Sequence, residues 1–292
     1  MSSDSDIDAD VKPTIFREYI GMEDNIDDFP ANMINDNIKE FHFILGFATE
    51  LYVYGKGTGE FNRTWSIENF SPENVAKLKQ LHRQVKVVIS IGGNGHEYQF
   101  NPQNNEDWIT NAVSSIKEII LDYENEVMDD DNIIDGIDIN YENITSSVDD
   151  FSNCIGQVIQ KLKEDPDVSK SMKIVSIAPT ELLQPHYLKL YLVNKDNIDW
   201  IDYKFYNQYF SSRDEFVSLF KKLVTDYDTE FKLLAGVSTY TGIPSESQGL
   251  IVDGCKYLLS RASLAGVFVL DANASAPAYS LERQLQELLT KE

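Results

Sequence analysis

Apolar residues in this chain fall in short, nearly unbroken runs that alternate with stretches of helical period. The runs are 15–20, 41–48, 85–91, 133–141, 172–178, 200–206, 231–238 and 266–271. Each reads as a strand buried on both faces, since a half-exposed strand would alternate apolar with polar positions. Between the runs, apolar residues recur three and four apart, which predicts helices over about 71–81, 106–123, 148–162, 186–193, 214–227, 250–260 and 281–289. Ser71-Pro72-Glu73 is a helix start, with Ser at the cap and Pro at the first helical position. Ser280 reads as the cap of the last helix. Residues 25–34 give at best a weak helix, and a long insertion carries Gly55, Gly57 and Gly59.

Strands alternating with helices are the signature of a parallel sheet covered by helices. No glycine-rich phosphate loop follows the first strand, so a closed barrel is favoured over an open nucleotide-binding sheet. The expectation is an α/β protein: a single eight-stranded parallel β/α (TIM) barrel over residues 13–292, preceded by a disordered acidic tail at 1–12.

Composition narrows the function. The chain has 292 residues, 42% of them hydrophobic, which is enough to fill one large barrel. Its 25 Lys and Arg stand against 48 Asp and Glu, a formal net charge of −23. That balance argues against nucleic acid, whose phosphates require clustered basic side chains, and against anionic membrane surfaces. It favours solubility and a monomer. No stretch approaches the 18 or so apolar residues of a membrane span. The polar start MSSDSDIDADVKP lacks the basic and apolar segments of a secretory signal, so a cytoplasmic location is expected. Asn-x-Ser/Thr sequences at Asn62, Asn69, Asn143 and Asn273 would matter only in a secreted chain. Cys154 and Cys255 both fall in predicted helices, which gives no disulfide framework. His42, His82, His96 and His186 are scattered, so no metal site and no cofactor is implied. The acidic loop 124–131 reads as a solvated surface run.

Candidate chemistry concentrates in Asp135-Gly136-Ile137-Asp138-Ile139-Asn140-Tyr141-Glu142. Successive strand side chains point to opposite faces, so Asp138, Asn140 and Glu142 share one face at intervals of roughly 6.7 Å. Ile137, Ile139 and Tyr141 share the other. Buried carboxylates need partners, so this row must meet a ligand, water or charged groups. In such barrels the working residues gather at the carboxyl ends of strands. Glu142 ends the fourth strand. Ser90, Gly92 and Gly93 end the third, and Asp271 ends the eighth, making these four candidate ligand contacts. Lys204 and Tyr206 end the sixth, both facing the interior. The two glycines also read as a sharp strand end.

The octet resembles the strand-four signature of family 18 glycoside hydrolases, Asp-Gly-x-Asp-x-Asp-x-Glu. Ser90-Ile91-Gly92-Gly93 is similar to that family's Ser-x-Gly-Gly, and Lys204-Phe205-Tyr206-Asn207 to the Gln-Phe-Tyr-Asn of plant class III chitinases. Segments 16–21, 86–93, 175–179 and 266–268 resemble the narbonin group, chitinase-like 2S globulins of legume seeds. That wider likeness covers essentially the whole chain beyond the tail. The resemblance implies that Glu142 protonates the leaving glycosidic oxygen while the substrate's own acetamide replaces a second carboxylate as nucleophile. Asp138 becomes the inner carboxylate, and Tyr206 donates to the acetamide carbonyl.

Three departures point toward inactivity. The helper Asp of the signature is Asn140, which carries no charge, and losing such a preorganised group costs on the order of 10²–10³ in rate. Leu270 stands where the family places a Trp beneath the reacting sugar. Lys204 replaces Gln within reach of Glu142; a neighbouring cation favours the carboxylate, whereas a general acid must start protonated. The expectation is a catalytically degenerate chitinase-like barrel, a storage globulin on the narbonin likeness. A lectin-like binder of N-acetylglucosamine oligosaccharides, with Tyr98, Phe100, Tyr209 and Phe210 as exposed aromatics, is one alternative. A weak substrate-assisted chitinase is the other.

Overall fold

A computed structural model describes residues 14–291 except 94, 96, 127–131, 230, 241 and 243–244. The expected tail at 1–12, His96 and most of the acidic loop lie outside these residues. In chain order the strands are β1 (Ile15–Ile20), β2 (Glu40–Val53), β3 (Lys56–Arg63), β4 (Val85–Gly93), β5 (Gln99–Phe100), β6 (Gly136–Tyr141), β7 (Asn143–Ile144), β8 (Ile174–Ile177), β9 (Trp200–Tyr203), β10 (Leu233–Ser238) and β11 (Gly266–Leu270). Parallel pairing runs β1-β2-β4-β6-β8-β9-β10-β11, and β11 pairs with β1, so eight strands close into a TIM barrel. β3 lies antiparallel to β2 outside the ring, and β5 pairs with β7 in a separate two-stranded sheet.

Helices α1 (Pro72–Leu81), α2 (Asn105–Glu124), α3 (Val148–Glu164), α4 (Gln184–Asn194), α5 (Arg213–Asp226), α6 (Ser245–Leu259), α7 (Ala272–Ser275) and α8 (Ser280–Leu289) follow the strands. Their starts are written in the sequence. Ser71, Asn104, Ser147 and Ser212 each accept from first-turn backbone N–H groups that have no partner inside the helix. Ser280 is a correction, because Tyr279 holds the cap position of α8 in a left-handed conformation without a side-chain bond. α6 begins five residues before the expected position 250.

The predicted sixth strand is also too long. β9 stops at Tyr203, and Phe205–Asn207 form a 3-10 turn, so Lys204 and Tyr206 stand just past the strand. The insertion with three glycines is a β-hairpin that extends β2 outward. Gly59 has φ +78, and a Cβ there would sit 2.2 Å from the Trp108 carbonyl oxygen, so only glycine lets α2 approach β3 this closely. Residues 25–34 contribute only a 3-10 turn at Ala31–Met33.

Two cores result from strand alternation. Phe41, Phe43, Ile89, Ile137 and Ile139 face outward and pack with helix residues such as Ile116, Ile120 and Phe151. Inside the ring, Ile15, Tyr19, Ile44, Leu234, Phe268 and Leu270 form a smaller apolar cluster. The rest of the interior is polar: Arg17, Ser90, Asp138, Asn140, Ser176, Asp202 and Lys204 are all buried. That asymmetry places the site.

Candidate active site

Asp138 is the most heavily bonded member of the row. Its Oδ2 accepts from Tyr19 Oη and Ser90 Oγ, both at 2.7 Å, and its Oδ1 from Ser176 Oγ at 2.6 Å. Ser176 in turn accepts from Arg17 Nη2 at 2.9 Å, and Arg17 pairs with Asp202 at 2.9 Å. Burial pushes the Asp202 carboxyl up to about 7, against the pull of Arg17. One network therefore ties several strands together below the site, and Ser90 belongs to it rather than to an open ligand contact. Sequence pattern alone assigns no role to Arg17 and Asp202. Their one signal is a charged residue inside an otherwise apolar run.

One layer further out, Lys204 is 1% exposed and donates to Asn140 Oδ1 at 2.6 Å. Its ammonium also forms an ion pair with Glu142, whose side chain is 22% exposed. The expected Lys204–Glu142 contact is present, and Asn140 shares the same cation. The pair occupies the oxygen that would donate to a glycosidic bond.

Tyr206 completes the cluster. It is 7% exposed, and its ring meets Phe268 edge-on at 6.1 Å. Its hydroxyl has no hydrogen-bond partner among the described residues. Burial and the nearby Glu142 carboxylate push the phenol well above its ordinary range, so it remains a neutral donor. Leu270 packs with Tyr19, Phe47, Tyr206 and Phe268, giving an aliphatic floor where a flat ring would support a sugar face.

The remaining candidates are engaged within the protein. Asp271 caps α7 through Ala274 N at 2.7 Å and accepts from Tyr240 Oη at 2.8 Å. Gly92 has φ +118, and a Cβ there would lie 2.4 Å from the Asn140 carbonyl oxygen, so it allows β4 to close on β6. A Cβ on Gly93, with φ +147, would strike the Tyr98 ring at 2.6 Å. Two of the four aromatic candidates are core residues instead. Phe100 packs among Trp108, Tyr141 and Phe151, and Phe210 against Phe205 and Phe216. Tyr209 is 77% exposed. Tyr98 lines a cavity of about 310 Å³ together with Met22, Glu23, Phe47, Glu97 and Tyr240. This cavity opens where β1, β2 and β10 end; larger ones, of about 490 Å³, lie among surface helices and the hairpin, away from Glu142.

A carboxyl-end row of Asp, Asn and Glu, with a Tyr just past the strand two places along the ring, is the arrangement of a chitinase-like barrel. The chain belongs to glycosyl hydrolases family 18, whose profile matches residues 24–252. It is 33% identical to Chitinase 1 of Tulipa saxatilis subsp. bakeri over 290 residues, covering 94% of this chain and 87% of that protein. It is 31% identical over 158 residues to the RuBisCO-associated protein of Glycine max, covering 52% of this chain and 51% of that protein. The solved catalytic domain of a family 18 chitinase from the fern Peteris ryukyuensis superposes with a TM-score of 0.81 at 31% identity, over 95% of this chain and 100% of that one.

Proposed function

We propose that this protein is a catalytically degenerate family 18 barrel that serves as a narbonin-like storage globulin, monomeric and cytosolic. The observation that supports the first half is the Lys204 ammonium held between Asn140 and Glu142. A general acid must present a proton to the leaving oxygen, and here a buried cation takes that oxygen's place. The uncharged Asn140 and the aliphatic Leu270 remove charge and stacking from the same locus. Incubation of the purified protein with a chitin hexamer, read by mass spectrometry, is expected to release no product. Steady turnover would sink the assignment.

The storage role rests on the likeness to narbonin along the chain and on a high-charge, soluble surface. It predicts accumulation to a large share of total protein, followed by loss when the tissue is mobilised. Constant trace abundance in quantitative proteomics would reject it.

A second reading, carbohydrate binding without hydrolysis, is favoured by the unpartnered Tyr206 hydroxyl. A buried donor without an acceptor costs about 1–3 kcal/mol, and a sugar acetamide carbonyl would satisfy it. Titration calorimetry with chitotetraose tests this; no heat at millimolar sugar removes it.

A further inference from the structure

We infer that the cavity at the barrel mouth selects amino-sugar oligomers with free amines, glucosamine rather than N-acetylglucosamine units. This rests on the carbohydrate-binding reading above. Phe47, Tyr98 and Tyr240 supply ring surface to the cavity, and Glu23 and Glu97 supply charge. Neither glutamate has an ion-pair or side-chain hydrogen-bond partner among the described residues, and both are exposed. The nearest interior cations are committed elsewhere: Arg17 to Asp202, Lys204 to Asn140 and Glu142. A formal charge of −23 adds a negative field over the whole mouth.

A second feature points to a polar ligand at this place. The Tyr206 hydroxyl, on a side chain only 7% exposed and without a partner among the described residues, is near Glu142 and near Tyr240, which is a wall residue of the cavity. Tyr240 itself bonds Asp271 and is not free to satisfy it. A sugar hydroxyl or ring oxygen reaching inward would do so. The two ends of the site then sort a 2-amino group by position. Next to Glu142, the Lys204 charge already neutralises the carboxylate, so an ammonium gains little there. Further out, it meets Glu23 and Glu97 and is attracted. A neutral acetamide gains nothing from either carboxylate. Selection therefore falls on the units seated in the outer cavity, and it is electrostatic and screened by salt.

The test is titration calorimetry with the intact protein at pH 6, using the glucosamine tetramer, chitotetraose and tetralysine as probes. Exposed pairs each contribute about 0.5 kcal/mol, so two of them give roughly a fivefold preference for the glucosamine tetramer at low salt. The preference is expected to shrink toward unity in 0.5 M NaCl, since the Debye length then falls to about 4 Å. In the Glu23→Gln/Glu97→Gln variant the ratio of the two sugar affinities is expected to fall to about one; both side chains are exposed, so folding is not at stake. Equal affinity for the two sugars, or a preference that survives in the variant, overturns the inference and leaves the cleft a carbohydrate site. Tetralysine binding as tightly as the amino sugar also overturns it, by reducing the effect to bulk charge. If neither sugar binds, the carbohydrate-binding reading itself fails.

Discussion

Lys204 shows how one residue changes the meaning of a catalytic-looking motif. Asp138 is bonded into the interior network and the Tyr206 hydroxyl is unpartnered among the described residues, while the Lys204 ammonium couples Asn140 to Glu142. On the proposed reading, three separate departures make a sharp forecast. Asn140→Asp alone is expected to give no turnover, because Lys204 still holds Glu142 and Leu270 still offers no ring. The triple variant Asn140→Asp/Lys204→Gln/Leu270→Trp is expected to release product from a chitin hexamer; activity in the single variant would show that Lys204 and Leu270 are tolerated. Strand alternation made the shared interior face of Asn140 and Glu142 legible in the sequence, whereas Lys204 and Leu270 drew their meaning from the family resemblance. Arg17, Glu18 and Asp202 were legible by neither route. Their partners lie on strands far away in the chain, so only closure of the ring decides whether such a charge is paired, as Arg17 is, or stranded, as Glu18 is.

Among elements, the β2–β3 hairpin and the β1–α8 contact are where buried carboxylates set stability. Glu50 on β2 accepts from Trp108 Nε1 at 2.6 Å, Gly59 N at 2.9 Å and Tyr141 Oη at 2.9 Å, pinning hairpin, α2 and β6 to one point. Glu50→Ala leaves those three donors unsatisfied and is expected to cost about 3 kcal/mol or more in urea unfolding, with faster amide exchange across β3. A loss below about 1 kcal/mol would show that water replaces the carboxylate freely. The barrel strands and their helices were readable from period alone, but this hairpin was not, because its glycines carry no side chains to show a period of two. Glu18 works the other way. It points from β1 toward α8, both its oxygens lack partners among the described residues, and burial with Glu282 and Asp271 nearby raises its carboxyl well above 4.5. Below pH 4.5, folded and unfolded chains both carry the proton and no penalty arises. As pH climbs from there to the raised folded value, the unfolded chain ionises first and stability falls. Glu18→Gln removes that loss: its melting temperature should match the parent near pH 4 and exceed it at pH 8, by the equivalent of about 1–3 kcal/mol. A variant less stable than its parent at pH 8 would show that Glu18 is held as a useful anion.

At the scale of the whole molecule, charge is divided between an interior where it is nearly balanced and a surface where it is not. Inside the ring, Arg17 and Lys204 answer Asp138, Asp202 and Glu142, and Asn140 in place of a carboxylate keeps the excess to a single negative charge. Outside, most of the imbalance between 48 acids and 25 bases remains, so many surface carboxylates have no cation to pair with. Surface pairs such as Lys117 with Asp165 and Asp167 contribute little and weaken in salt. Self-repulsion among the unpaired acids also weakens in salt, and the excess of acids makes that repulsion outweigh the pairs. Raising ionic strength from about 0.01 to 0.15 M shortens the Debye length from about 30 to 8 Å, less than the separation of most surface charges. Stability in urea should therefore rise across that range, by roughly 1 kcal/mol, with the slope of the unfolding transition unchanged. The same repulsion opposes self-association, so sedimentation at low salt is expected to give a single species of about 33 kDa. Stability that falls with added salt would reverse the argument and assign the surface ion pairs the dominant role.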